Sequence, residues 1–260
     1  MRNLACGYWH LGRYAEAKQL MEKVVEGQRQ TLGEDHIDTL RSMHDLAPSY
    51  WILGQYEEAK QLMEKVVEAQ GRALGKDHPN TLRSVHSLAH SYWLLGRYRE
   101  AKQFMEKVIE AQKRTLGEDH PDTLQSMHSL SQSYQCLDRY EEARQLIEKV
   151  VEGQKRTLGK GHPDTLSSMR SLASSCRCLG QFKEARQLME KVVEGQKRTL
   201  GKNHATTLAS THYLKLLKIH QNRSNGAVPL QENTQTKPLG QGDSTMDPPY
   251  KRPHTSDIPT

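Results

Sequence analysis

A single pattern returns through this chain at a constant step. Thr39, Thr81, Thr123, Thr165 and Thr207 lie 42 residues apart, and the same step separates Leu11, Leu53, Leu95, Leu137 and Leu179. It also separates His36, His78, His120, His162 and His204. A fixed period between about 20 and 50 residues marks an array of stacked units, not one globular core. Each unit holds two helical patterns. In "NTLRSVHSLAHSYWLL", from Asn80, the apolar residues Leu82, Val85, Leu88, Ala89, Tyr92 and Leu95 fall on one helical stripe. From Tyr98 to Leu116, a second stripe is made by Ala101, Phe104, Met105, Val108 and Ala111. Gly96 and Gly117 follow the two helices as stop signals. Asp38, Asn80, Asp122 and Asp164 are expected to cap the first helices. Glu68 and Arg72, Glu110 and Arg114, Glu152 and Arg156, and Glu194 and Arg198 are expected to pair one turn apart on the second helices.

One helix pair cannot cover its own apolar stripes, so the motif has to recur and stack. The expected fold is therefore all-α: a right-handed α-solenoid of antiparallel helix pairs. Residues 1–219 are expected to hold five repeats, the first truncated, plus a C-terminal capping helix. Only 35% of the 260 residues are hydrophobic, which suits a thin array with a high ratio of surface to volume. From residue 220 the periodicity ends, and six of the ten prolines follow, so 220–260 is expected to be a disordered tail. Pro48 falls inside the helix from Asp38 to Leu53 and is expected to kink it.

The four cysteines show no metal-type spacing, no apolar run is long enough to cross a membrane, and no signal peptide opens the chain. Reduced thiols and a cytoplasmic location are expected. Cys176 stands where other repeats have Tyr50, Tyr92 and Tyr134, and is expected to fill core space.

The turn "Leu-Gly-x-Tyr-x-Glu-Ala" resembles that of the tetratricopeptide repeat. The step of 42, with "Thr-Leu-Gly-x-x-His-Pro-Asp-Thr-Leu" joining repeats, resembles the kinesin-light-chain-like subclass, which also forms the C-terminal array of fungal and bacterial nucleotide-binding receptors. The resemblance covers residues 1 to about 219. It implies a concave groove, lined by the first helix of each pair, that binds a peptide or protein segment. Many members carry paired asparagines there. The matching pairs here are Arg2-Asn3, His44-Asp45, His86-Ser87, His128-Ser129 and Arg170-Ser171, so a full asparagine ladder is absent.

Helical geometry puts Arg41, His44, Arg83, His86, His90, His128 and Arg170 on the stripe opposite the core of the first helices. Asp45 is the one acid there beyond the helix starts. These seven residues are the candidate peptide-binding set. The net charge of +6 favours an acidic partner but is too dilute for a dedicated nucleic-acid binder. Mild acid is expected to add charge to the histidines of the stripe. Trp9, Trp51 and Trp93 recur at the same step and either pack between repeats or offer apolar footing. His86 and His90, one turn apart, suit two metal ligands on a helix, but no third ligand is near in sequence. The loop histidines are one per repeat and are expected to serve the turns. With no nucleophile–base set, phosphate loop or paired carboxylates, no catalytic residue, metal or cofactor is assigned. The expected function is a non-catalytic protein-interaction scaffold. The alternative is the detached recognition array of a nucleotide-binding immune-type receptor.

Overall fold

The computed structural model describes residues 2–224. Among them are eleven helices: α1 (Arg2–His10), α2 (Tyr14–Leu32), α3 (Ile37–Ile52), α4 (Tyr56–Leu74), α5 (Pro79–Leu94), α6 (Tyr98–Thr115), α7 (Pro121–Cys136), α8 (Tyr140–Thr157), α9 (Pro163–Cys178), α10 (Phe182–Thr199) and α11 (Ala205–Ser224). Each packs on the next, giving an all-α solenoid of antiparallel pairs. Odd-numbered helices are the first of each pair. First helices also touch directly across the repeat step, α3 with α5, α5 with α7 and α7 with α9, whereas no two second helices make a comparable contact. The first helices thus share one continuous face. The chain of the first repeat is helical from Arg2. The last helix runs to Ser224, five residues past the expected boundary, and the expected tail from residue 225 onward lies outside the described residues.

The core alternates between the two stripes. Leu88 and Ala89 of α5, Met105 and Val108 of α6, and Leu124 and Met127 of α7 are buried. Close approach within a pair is visible at Gly153, where a Cβ would stand 2.8 Å from Leu124 Cδ2. Cys176 is fully buried in the tyrosine position, as expected, and burial pushes its thiol up to about 12. On α11, Lys215 occupies the position held by the buried Ala47, Ala89 and Ala173. Lys215 is exposed there, where the three alanines are buried.

The helix starts differ from expectation. The N-cap is the loop histidine, not the following Asp or Asn: Nδ1 of His36, His78, His120 and His162 each accepts from the backbone N–H two residues on, at 3.2 Å. The aspartate then sits in the first turn, where its charge meets the positive end of the helix. Thr39, Thr123 and Thr165 close the loop by donating Oγ1–H to the carbonyls of Gly33, Gly117 and Gly159. The constant step of the histidines therefore has a local cause. Changing His120 to alanine is expected to cost about 1 kcal/mol, and changing it to asparagine or serine much less, as measured by denaturant unfolding.

The charged pairs also differ from expectation at two sites. Arg72 bonds Glu68, and Arg198 bonds Glu194, one turn away. Arg114 and Arg156 instead reach Asp77 and Asp119 in the preceding inter-repeat loop. Arg156 meets Asp119 in a fork, Nη2 to Oδ1 at 2.7 Å and Nε to Oδ2 at 3.2 Å, and that geometry outcompetes a single bond to Glu152. Glu152 takes Lys155 at 2.8 Å.

Tyrosines stitch neighbouring repeats on the second-helix side. Tyr50, Tyr92 and Tyr134 donate to Glu22, Glu64 and Glu106 at 2.8, 2.9 and 3.2 Å. Arg97 and Arg139 lie over the rings of Tyr92 and Tyr134, at 4.7 and 4.8 Å.

Candidate functional site

Three histidines of the stripe read from the sequence are engaged between repeats. His44 Nε2 lies 3.0 Å from Ser87 Oγ, His86 Nε2 lies 3.1 Å from Ser129 Oγ, and His128 Nε2 lies 2.9 Å from Ser171 Oγ. Each rung joins one first helix to the next. Ser129 Oγ also lies 3.2 Å from the Gln125 carbonyl, so when its hydroxyl proton goes there, His86 donates from Nε2. The ladder stops at Arg170. The sixth residue of this row is His212 on α11, exposed, which the sequence reading did not single out.

His90 packs differently. Its ring meets Trp51 edge-on at 4.8 Å and lies parallel to Trp93 at 6.0 Å. Trp51 Nε1 donates to Ser91 Oγ at 2.9 Å, and Gln135 substitutes for it further along the array, donating to Ser175 Oγ at 2.7 Å. These tryptophans therefore pack between repeats, with Trp51 buried and Trp93 half-buried.

Burial sets the charge state of the row. It pushes His86 down to about 3, with help from neighbouring His90 and His44. It pushes His90 down to about 4, and His128 down to about 4 with help from Arg170. Burial therefore opposes the charging of these three rings that mild acid was expected to bring. The fixed charge on the face comes from Arg41, Arg83 and Arg170. Arg41 and Arg83 are exposed and Arg170 is half-buried, and Arg83 donates to Asn80 Oδ1 at 2.7 Å.

Among the described residues no three or more His, Cys, Asp or Glu side chains converge as metal ligands. No described helix is long and apolar enough to cross a membrane.

The profile of the tetratricopeptide repeat matches residues 1–71, 49–114, 85–156 and 130–198. The chain belongs to the tetratricopeptide repeat family. Among solved structures it is similar to the nearly identical TPR-like repeats of a Podosopora anserina kinesin light chain candidate, at 39% identity over 76% of this chain and 94% of that one, with a TM-score of 0.67. That likeness places it with the kinesin-light-chain-like repeats. BtubC (BKLC) from P. vanneervenii matches at 15% identity over 88% of this chain and 99% of that one, TM-score 0.63. MamA from Desulfovibrio magneticus RS-1 matches at 17% identity over 76% and 93%, TM-score 0.53. At these identities the last two show the fold alone. No curated protein matches this tetratricopeptide array at a significant level.

Proposed function

We propose that the chain is a non-catalytic scaffold of the cytoplasm that holds a peptide or protein segment along the face of its first helices. Tetratricopeptide arrays serve protein interaction, and the 42-residue step is shared with the kinesin-light-chain-like repeats. The observation that carries the reading is the pair of exposed guanidiniums, Arg41 and Arg83, one repeat apart on equivalent turns of α3 and α5. Arginine stays charged at every working pH and takes carboxylates in a fork. The ligand is therefore an acidic segment, bound through side chains. His44, His86, His90 and His128 belong to the floor of the site, and Arg170 extends its charge toward α9. Nucleic acid is a poor fit, because two or three spaced arginines do not neutralise a phosphate backbone.

One arrangement bears on catalysis. Ser87 Oγ lies 3.0 Å from His44 Nε2, and His44 Nδ1 lies 3.6 Å from Asp45 Oδ1, a serine–histidine–aspartate order. Ser87 is 1% exposed and sits mid-helix, where the backbone N–H groups are spent on helix bonds. A substrate cannot reach it and nothing stands ready to hold an oxyanion.

A peptide-library screen at pH 7.5 is expected to enrich acidic sequences. Changing Arg41 and Arg83 together to glutamate is expected to weaken them several-fold, since each exposed pair is worth about 0.2–1 kcal/mol. Raising salt should weaken them too. A library without acidic enrichment, or a double variant that binds as tightly, rejects the site.

A further inference from the structure

The His–Ser rungs occupy the three first-helix contacts α3–α5, α5–α7 and α7–α9, and the Tyr–Glu rungs hold the opposite side of the same repeats. We propose that the His–Ser ladder is a proton-sensitive clasp: taking up protons at His86 and His128 parts neighbouring first helices and opens their shared face, while the Tyr–Glu stitches hold the repeats together.

The chemistry of the rungs supports this. In the closed state His86 Nε2 shares one hydrogen bond with Ser129 Oγ, and the neutral ring fits a half-buried slot. A second proton makes the ring a cation among cations and neutral groups. The charges that act on His86 are His44 from α3 and His90 from its own helix, and the one that acts on His128 is Arg170 from α9. Burial alone acts on His90. No carboxylate of any packed helix is among them. Asp45 lies beside His44, 3.6 Å from Nδ1, so a counter-charge exists for the first rung and not for the next two. Arg41 and Arg83, on the same face of α3 and α5, add repulsion. A buried cation without a partner is relieved by reaching water, and separation of the first helices provides that.

On the opposite side Tyr50, Tyr92 and Tyr134 donate to Glu22, Glu64 and Glu106, and no histidine takes part in those rungs. Proton uptake by histidine therefore acts on the inner rungs.

The sign of the effect follows from the lowered pKa values of the closed state. Above about pH 6.5 the rings are neutral whether the clasp is open or closed, and proton binding favours neither. Below it the open rings take up protons and the closed rings do not, so closure weakens as pH falls toward the closed-state values. Each ring favours opening by up to tenfold per pH unit in that window. The device is independent of any ligand, so it stands or falls apart from the acidic-peptide reading.

The test is amide hydrogen exchange on the full chain, corrected for intrinsic rates, from pH 7.5 to 4.5, with tryptophan fluorescence alongside. Two of the three tryptophans, Trp51 and Trp93, contact His90 and report on this face. Protection of α5 and α7 is expected to fall at least tenfold between pH 6.5 and 4.5, with helicity retained. In a His86→Gln, His128→Gln double variant most of that fall should vanish. Ser129→Ala and Ser171→Ala should loosen the same helices already at pH 7.5. Native protection that stays constant to pH 4.5, or a double variant that follows the native curve, overturns the clasp. Where the double variant does not fold at pH 7.5, histidine NMR of the native chain decides: rings of His86 and His128 that titrate near 6.5 with amide protection of α5 and α7 unchanged overturn it, and rings whose proton uptake below that pH coincides with the loss of protection uphold it.

Discussion

Replacing Met127 with alanine is expected to remove about 2–5 kcal/mol of stability and to break the cooperativity of the array. Met127 is 0% exposed on α7, inside a core cluster that runs from Ala89 on α5 to Leu217 on α11. In a stacked array each repeat touches only its neighbours, so stability is close to a sum of repeat and interface contributions. A cavity at Met127 weakens the middle repeat and with it the interfaces on both sides. The N-terminal and C-terminal halves then unfold more independently, which lowers the denaturant midpoint and broadens the transition. The control is Leu217→Ala. Leu217 is equally buried, but α11 packs chiefly on α10, so its loss frays that end of the array and leaves the main transition nearly in place. Far-UV circular dichroism against guanidinium concentration reads both. A Met127 variant that loses less than about 1 kcal/mol, or one no worse than the Leu217 variant, contradicts a core shared between neighbours.

The period of 42 made the fold legible because it repeats the whole hydrophobic pattern, and a register error would disagree with itself in every repeat. The positions of Arg41, Arg83 and the histidine row on one face followed from helical geometry alone. Their chemical state did not, because the partner of each histidine is on another helix. His44 and Ser87, His86 and Ser129, and His128 and Ser171 are each separated by 43 residues, one more than the period. That offset is visible in the sequence only once it is known that first helices lie side by side. The loop histidines were read as serving the turns. Their role as N-caps was hidden by the aspartates two residues later, which are better known caps. His212 was missed because its helix is the last and lacks the following partner that makes the rest of the row recognisable. The rerouting of Arg114 and Arg156 was likewise invisible, since an i,i+4 acid is always at hand and the competing Asp77 and Asp119 are a repeat away.

Changing Pro48 to alanine is expected to stabilise the protein by about 1–3 kcal/mol. Pro48 stands in the last turns of α3, which remains helical from Ile37 to Ile52 around it. The other repeats have His90, Gln132 and Ser174 at this position. Proline offers no N–H for the helix bond at this turn, and its ring crowds the preceding one, a cost of about 3 kcal/mol against alanine. Some of that is offset because the half-buried ring packs against its surroundings, and truncating it gives back about 1 kcal/mol. The array is large enough that each kcal/mol moves the melting temperature by roughly 2–4 °C, so a rise of several degrees is the expected reading. Binding separates two reasons for the proline. Pro48 follows His44 by one helical turn and Arg41 by two. Where it bends α3 to aim Arg41, the alanine variant will melt higher and bind acidic peptides more weakly. Where lateral packing by α2, α4 and α5 already holds α3 straight, the alanine variant will melt higher with its affinity unchanged, and the bend expected from the sequence is rejected.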